Sequence, residues 1–456
     1  MTTCTPRAAW GNLLRRLHFY VGLFVGPFIF IAALSGTLYV ATPQLEEALY
    51  HHALHTDSQG PARPLAEQIA AADKVTGGEL RLHAVRPGLV AGETTRVMYA
   101  DPELSASENR AIFIDPVSLA VRGDMTVYGT SGILPLRQKI DYLHRSLLLL
   151  GDVGRLYSEL AASWMWIAAL GGIALWFITR PKRRINNRFQ NRRRLHVTLG
   201  WTLLVGMLLF SATGLTWSQW AGGNVDKLRA QMGWMTPQVN TQLQGPAMAA
   251  DPHAEHHGHG MSMPMPAVKP DLTLFDGVLH VAKAAGIDAS RLEIRPAKSD
   301  TQAWTVTEID RGWPTQVDAV AVDPHTLRVL DHARFADYPL MAKLTRWGVD
   351  LHMGVLFGLP NQLLLIAFGV GLCVMIVWGY RMWWMRRPAH NVMNPAQMLF
   401  QSWKDLPIWG RMVTLLISVL LGLMMPVMGC SLVLFVMIDW LRWRKATALS
   451  LAESMK

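Results

Sequence analysis

The run RRLHFYVGLFVGPFIFIAALSGTLYV, Arg15–Val40, decides the fold. Two arginines lead it, and from Leu17 to Val40 it carries no Lys, Arg, Asp or Glu. About 20 such residues in a helix cross the roughly 30 Å hydrocarbon core of a bilayer. Equally uncharged runs at Leu160–Thr179, Leu195–Trp217 and Met353–Tyr380 predict three more spans. A fifth, Met412–Ile438, is interrupted by Pro426 and Gly429. Composition agrees: of 456 residues 51% are hydrophobic and 17% charged, with a mean hydropathy of +0.19.

The net charge of +10 invites a nucleic-acid reading, but the placement of the charge excludes it. Basic residues gather at the ends of the apolar runs: Arg7, Arg15 and Arg16; Arg180 to Arg194; Arg381, Arg386 and Arg387; Arg442, Arg444 and Lys445. Cationic loops mark the cytoplasmic side. The N-terminus is therefore expected inside, and residues 41–159 and 218–352 outside. The first run is too long for a signal-peptide core and has no A-x-A-like site after it, so it reads as a retained anchor. As one kinked span the fifth run would carry Arg442 and Arg444 outside, so a hairpin between Trp409 and Arg444 is preferred. Cys4, Cys373 and Cys430 form no disulfide or Cys-x-x-Cys framework.

The chain is written twice. Arg15-Arg16-Leu17-His18 returns as Arg193-Arg194-Leu195-His196, each with a Gly four residues on. Arg86-Pro87 returns as Arg295-Pro296, Asp115-Pro116 as Asp323-Pro324, and Leu143-His144 as Leu351-His352. From Asp115 to His144 is 29 residues, as from Asp323 to His352. His18 to His144 is 126 and His196 to His352 is 156. The extra 30 lie around an insertion rich in Gly, Pro, His and Met. Each half thus enters the membrane, makes an external domain, reaches a histidine and returns.

The external parts read as α/β. Leu65–Asp73 and Leu274–Ala285 have helical spacing. Leu80–Val85, Arg96–Tyr99, Ala111–Ile114, Arg291–Ile294, Ala303–Val306 and Val317–Val322 read as strands. The Asp-Pro pairs read as turns.

Four histidines in two copied pairs are the chemical signal. His18 and His196 begin outward spans, and His144 and His352 precede inward ones. Ionisable groups at membrane depth are costly and are more often functional than incidental. One imidazole from each of two helices suits the two axial positions of a haem iron. Zinc wants three or four ligands at one point, and neither level offers a Cys or carboxylate set. The reading is one haem between His18 and His196, another between His144 and His352. Asp141 and Asp350 either orient the outer imidazoles or are helix-entry acids. Arg16 and Arg194 inside, and Arg145 and Arg155 outside, either pair with haem propionates or are topogenic charge. No Walker motif, Gly-x-Ser-x-Gly elbow or dinucleotide fingerprint is present.

Arg-Leu-His at 16–18 and 194–196, Leu-His-Arg-Ser-Leu-Leu-Leu-Leu-Gly-Asp-Val-Gly-Arg at 143–155 and Leu-His-Met-Gly-Val-Leu-Phe-Gly-Leu-Pro at 351–360 together resemble the PepSY-associated transmembrane family over about residues 10–390. With the repeat and the apolar runs, the reading is an α-helical polytopic membrane protein: four core transmembrane helices in two tandem repeats, two small α/β periplasmic domains that the resemblance makes PepSY-like, and a C-terminal apolar hairpin read from the fifth run. It divides the chain as follows. Residues 1–43 hold the N-terminus and first span, and 44–140 the first periplasmic domain. The first outer haem segment and second span are 141–180, then come a basic cytoplasmic loop at 181–194 and the third span at 195–220. Residues 221–345 form the second periplasmic domain with its insertion at 244–270. The second outer haem segment and fourth span are 346–387, and 388–456 are the hairpin and tail.

The family resemblance also implies two b-type haems with His18, His196, His144 and His352 as axial ligands. The activity implied is that of a ferrisiderophore reductase: electrons from inside reduce a periplasmic ferric siderophore. With no flavin or nicotinamide fingerprint, the donor is an external quinol or soluble flavin reductase. Two features depart from the simplest pattern, the C-terminal extension and the insertion. The insertion's His253, His256, His257, His259, Met261, Met263 and Met265 suit copper or belong to a flexible polar linker. Copper reduction or handling is therefore an alternative acceptor chemistry. A non-enzymatic PepSY regulator is a rival class. A transporter is another, disfavoured because the spans are apolar between the histidine levels.

Overall fold

In lipid a backbone can bond only to itself, so uncharged runs of this length close into helices. The computed structural model describes residues 6–105, 107–149, 151–179, 187–243, 269–386 and 398–454. Helix α1 (Pro6–Tyr20) continues through a π-helical turn, Val21–Val25, into α2 (Gly26–Val40). Next come α3 (Thr42–Leu54), α4 (Leu65–Thr76), β1 (Arg81–Arg86), β2 (Thr95–Ala100), β3 (Glu108–Ile114) and β4 (Val121–Tyr128). Helices α5 (Pro135–Ser146) and α6 (Gly151–Ile178) close the first half. The second runs α7 (Arg188–Thr202), α8 (Leu204–Thr216), α9 (Trp220–Gln231), α10 (Leu274–Ala284), β5 (Leu292–Arg295), β6 (Trp304–Glu308), β7 (Ala319–Asp323) and β8 (Arg328–Ala333). It ends with α11 (Leu340–His352) and α12 (Gly358–Met385). Helices α13 (Leu399–Lys404), α14 (Ile408–Met424) and α15 (Pro426–Ser454) follow.

These elements form two units. The helical one comprises Met1–Leu38, Tyr142–Leu228 and Leu363–Lys456. Arg7–Val40, Gly151–Ile178, Gly358–Met385 and Pro426–Ala448 are long and apolar enough to cross a membrane. The third expected span, Leu195–Trp217, is not one straight helix: α7 and α8 meet at Leu203 with a 57° bend. Thr202 Oγ1 donates to the Thr198 carbonyl at 3.0 Å just before it, a bond that bends helices. Between α14 and α15 the helix breaks at Met425 (φ −126°, ψ 81°), because a residue before proline is pushed out of the α region.

Val21, Val25, Trp164, Met165, Met207, Leu372 and Met428 are core residues of this unit. Asp439 of α15 accepts from the Tyr20 hydroxyl and from the Phe400 amide. It thereby ties α15 to α1 and α13. Val205, Leu364, Leu423 and Val433 face outward, each more than 60% exposed. Such a surface is served by lipid rather than water.

The second unit, Tyr39–Asp141 with Arg229–Gln362, is built on one antiparallel sheet of order β4-β3-β2-β1-β5-β6-β7-β8. The two small α/β domains expected from the sequence are therefore a single unit. Each four-stranded half would leave β1 or β5 as an open edge, a row of unpaired backbone groups. Pairing the two edges, with Val85 opposite Ile294, removes both. Alternation then sorts side chains. Val85, Val97, Tyr99, Ile112, Ile294, Val306 and Val320 meet α4 and α10 through Ile69 and Phe275. On the other face Ala84, Met98, Ala111 and Phe113 pack against Ala53 and Leu54 of α3. The two Asp-Pro turns match to the dihedral: Leu119 (φ 62°) and Leu327 (φ 51°) are both left-handed, each donating to the carbonyl of its Asp.

Charge marks the seam. Arg86 Nε and Arg295 Nε donate to the two oxygens of buried Glu293 at 2.7 and 2.6 Å. Burial pushes Glu293 up, but Arg86 and Arg295 outweigh it and hold the group down at about 2, against 4.5 ordinarily. His83, the bulged residue between the registers of β1 and β2, is lowered from 6.5 to about 4, first by burial and then by Arg295. In both cases the unfolded chain binds its proton at higher pH than the fold does, so stability rises with pH across the gap. It is complete above about 6.5, and drains from 6.5 to 4 through His83 and from 4.5 to 2 through Glu293. The sheet unit is expected to melt several degrees lower at pH 4 than at pH 7. His83→Asn should abolish the upper part of that fall, read by thermal scans at each pH.

Candidate functional site

Helices α1 and α7 carry the matched Arg-Leu-His segments, and they bring His18 and His196 together. The two rings stand 6.3 Å apart, centroid to centroid, with planes at 78°. An imidazole nitrogen binds a metal at about 2 Å. Two rings on opposite faces of one iron therefore have centroids about 6 Å apart.

The backs of the rings meet equivalent positions of the two repeats. His196 Nδ1 lies 3.2 Å from the carbonyl of Met375 on α12. His18 Nδ1 is buried without a hydrogen-bond partner, and the Ala168 backbone on α6 is among the groups acting on this ring. Ala168 and Met375 are equivalent, each 17 residues beyond its helix's first residue, Gly151 or Gly358. A carbonyl can only accept, so it favours the tautomer with the proton on Nδ1 and the lone pair on Nε2. Four residues further stand Gly172 and Gly379, of which Gly172 gives its ring room. A Cβ on Gly172 would sit 3.1 Å from His18 Cε1, and one on Gly379 3.8 Å from His196 Cε1. The π turn Val21–Val25 begins three residues past His18, the kind of helix irregularity frequent at functional sites.

His144 lies near the end of α5, in the helical unit. Its Nδ1 is 3.1 Å from Ser35 Oγ, and its Cε1 is 3.1 Å from where a Cβ on Gly36 would be. Ser35 spends its single proton on the Ile31 carbonyl at 2.6 Å, so it accepts from His144 Nδ1. The lone pair of His144 is again on Nε2. His352 is the last residue of α11, in the sheet unit.

Asp350 corrects the helix-entry expectation. It lies near the end of α11, fully buried, and accepts from Arg311 Nε at 2.6 Å and Arg346 Nε at 3.1 Å. It neutralises two guanidiniums rather than capping a helix. Asp141 is likewise inside α5, not at its entry.

Of the arginines, Arg16 lies within the field of Tyr20 and Asp439, and Arg194 is exposed on α7. Arg145 adjoins His144 on α5, and Arg155 lies in the first turns of α6. The insertion, with His253, His256, His257, His259, Met261, Met263 and Met265, lies outside the described residues.

Sequence reasoning missed the ring supports. Ser35-Gly36 recurs as Thr213-Gly214, 17 and 18 residues after each leading histidine, and that spacing could have exposed them. It also missed Glu47, His51 and His55 on α3, whose i, i+4, i+8 spacing is plain in the chain.

These observations define a class first: a multi-span helical membrane protein carrying an eight-stranded antiparallel sheet. The family profile for the PepSY-associated TM region matches residues 15–386, and the chain belongs to that family. Comparison with curated proteins returned no match.

Proposed function

We propose that this is a dihaem electron-transfer protein of a bacterial inner membrane, reducing a periplasmic ferric, siderophore-bound substrate with electrons from the cytoplasmic side. The observation that carries the reading is the His18–His196 pair. Two imidazoles from repeat-related helices have the ring spacing that one iron would need, the Nδ1 of His196 is turned to the Met375 carbonyl, and each ring lies beside a glycine. Among the described residues no third histidine, cysteine or carboxylate joins them as a metal cluster, which suits a haem and not a structural zinc.

His18 and His196 would hold a haem there, which would supply one-electron exchange. The chain does the rest. The Met375 carbonyl holds the tautomer and orientation of His196, as second-shell acceptors do. Apolar Val21, Val25, Met207 and Leu372 keep water from the interior of the bundle. On the outer side His144, whose Nδ1 lies 3.1 Å from Ser35 Oγ, would be a haem ligand. The N-terminus and the arginine-rich helix ends lie inside, where an external quinol or flavin reductase meets them. Reduction frees the metal because Fe(II) is the softer ion and is held less well by hard oxygen ligands.

The test is an absorbance spectrum of purified protein before and after dithionite, with haem quantified per chain. Bis-imidazole b-type bands and two haems per chain are expected. A colourless protein that takes up no added haem would overturn the reading and favour a PepSY regulator. Comparing rates with ferric siderophores and with Cu(II) then assigns the acceptor.

A further inference from the structure

We propose a divalent transition-metal site on α3, made by Glu47, His51 and His55. It involves none of the haem histidines and stands independently of the electron-transfer reading. The candidate ligand atoms of the three side chains all lie within 4.8 Å of one another. His55 Nε2 is 2.6 Å from Glu47 Oε1, and the two imidazoles are 4.7 Å apart, centroid to centroid, with planes at 32°.

A regular helix does not gather residues i and i+8. They stand about 12 Å apart along the axis at 1.5 Å per residue, and the backward lean of helical side chains closes only part of that gap. Here the backbone departs from the helix twice. Tyr50 sits at φ −110°, ψ 16°, a kink inside α3, and His55 leaves the helix at φ −126°, ψ 158°. Both departures are held from outside. The Tyr50 hydroxyl accepts from the Leu136 amide at 3.1 Å. Thr94 Oγ1 donates to the Ala53 carbonyl at 2.7 Å, Thr94 N to the Leu54 carbonyl at 3.1 Å, and His55 bridges Glu93. The three side chains are thus preorganised by α5 and by the segment that leads into β2.

The donor chemistry selects the ion. Two imidazoles and a carboxylate suit Zn²⁺ or Cu²⁺, whereas Ca²⁺ and Mg²⁺ want oxygen alone. A tetrahedral ion with bonds of about 2.0–2.2 Å keeps its donors roughly 3.3 Å apart, so the wider pairs of a cluster spanning at most 4.8 Å would close in while His55 Nε2 and Glu47 Oε1, now 2.6 Å apart, would open slightly. Three protein ligands leave a fourth position to water. His55 Nε2 and Glu47 Oε1 already lie against each other at 2.6 Å, a contact that an entering ion would replace by binding both atoms once the ring nitrogen gives up its proton. The neighbouring His52 is committed elsewhere, its Nδ1 3.1 Å from the Arg122 carbonyl.

The test is Zn²⁺ binding by competition with a chromophoric chelator. It uses the full chain, in a background where His253, His256, His257 and His259 are all Ala so that the insertion adds no imidazole. His51→Ala and His55→Ala are each expected to weaken binding about tenfold or more, and Glu47→Gln several-fold. His52→Ala should match the background. His51 and Glu47 are exposed, so an unchanged melting temperature separates lost binding from lost folding. Cu²⁺ in the same background should show hyperfine coupling to two nitrogens, reduced to one in His51→Ala. Background Zn²⁺ affinity retained by the His51→Ala/His55→Ala double variant overturns the site.

Discussion

His196→Ala is expected to halve the haem content, from two per chain to one, and to stop electron transfer to any periplasmic acceptor. The reasoning begins with the tautomer. His196 presents its lone pair on Nε2 because Nδ1 is turned to the Met375 carbonyl at 3.2 Å. Its ring is 6.3 Å from that of His18, so removing it leaves His18 as the sole imidazole at that level. Little of the fold should go with it: the ring backs onto Gly379 and is only half-buried. The measurement is a pyridine haemochrome assay per chain, with the reduced spectrum. Added imidazole should restore the second haem, a rescue that a misfolded variant would not show. His18→Ala is expected to match His196→Ala, while His144→Ala and His352→Ala should spare the inner haem and lose the outer. Two haems retained in all four variants would remove the ligand assignment altogether.

The parts legible in the chain were those written locally. Uncharged runs mark the spans because lipid demands them, and the repeat shows as spacing that any reader can count. Six of the eight strands were legible for the same reason: they alternate or run apolar, as buried strands must. Strands β4 and β8 are the edges of the sheet. β4 does alternate, with Val121, Met125 and Val127 between Arg122, Asp124 and Thr126, and could have been read; β8 does not, its Val329 and Leu330 standing side by side and exposed. The union of the two domains was not legible either. It depends on the pairing of β1 with β5, more than 200 residues apart in the chain, and no local pattern records a shared edge. Gly172 and Gly379 were invisible for a related reason. A glycine in an apolar helix reads as filler until the ring packed on it is known. Asp350 was misjudged because its partner Arg311 comes from a loop 39 residues earlier.

Glu293→Gln should destabilise the sheet unit by about 3–5 kcal/mol, the cost of breaking a buried ion pair from one side. Glu293 is 4% exposed and bridges the repeats, taking Arg86 from the first and Arg295 from the second. Arg295 is 42% exposed and can turn to water. Arg86 cannot: its side chain is 12% exposed, and its Nη atoms are fixed on the Ser131 and Thr130 carbonyls at 2.9 and 2.8 Å. Beside it Arg96 is half-buried, lowered to about 9 by desolvation and then by the charge of Arg86. Without the carboxylate these guanidiniums repel one another in a poorly solvated seam, with Glu46 the remaining counter-charge among the groups acting on Arg96. The β1–β5 pairing should therefore loosen first, and hydrogen exchange should speed up at Val85 and Ile294 before it does at Ile112 or Val320. Denaturant melts of the whole protein give the size of the loss. Replacing both partners, as in Arg86→Met/Glu293→Leu, should recover most of it, because apolar groups of similar volume need no desolvation of charge. If the double variant is as unstable as Glu293→Gln, the seam depends on the geometry of the salt bridge and not on the unpaired charge it leaves.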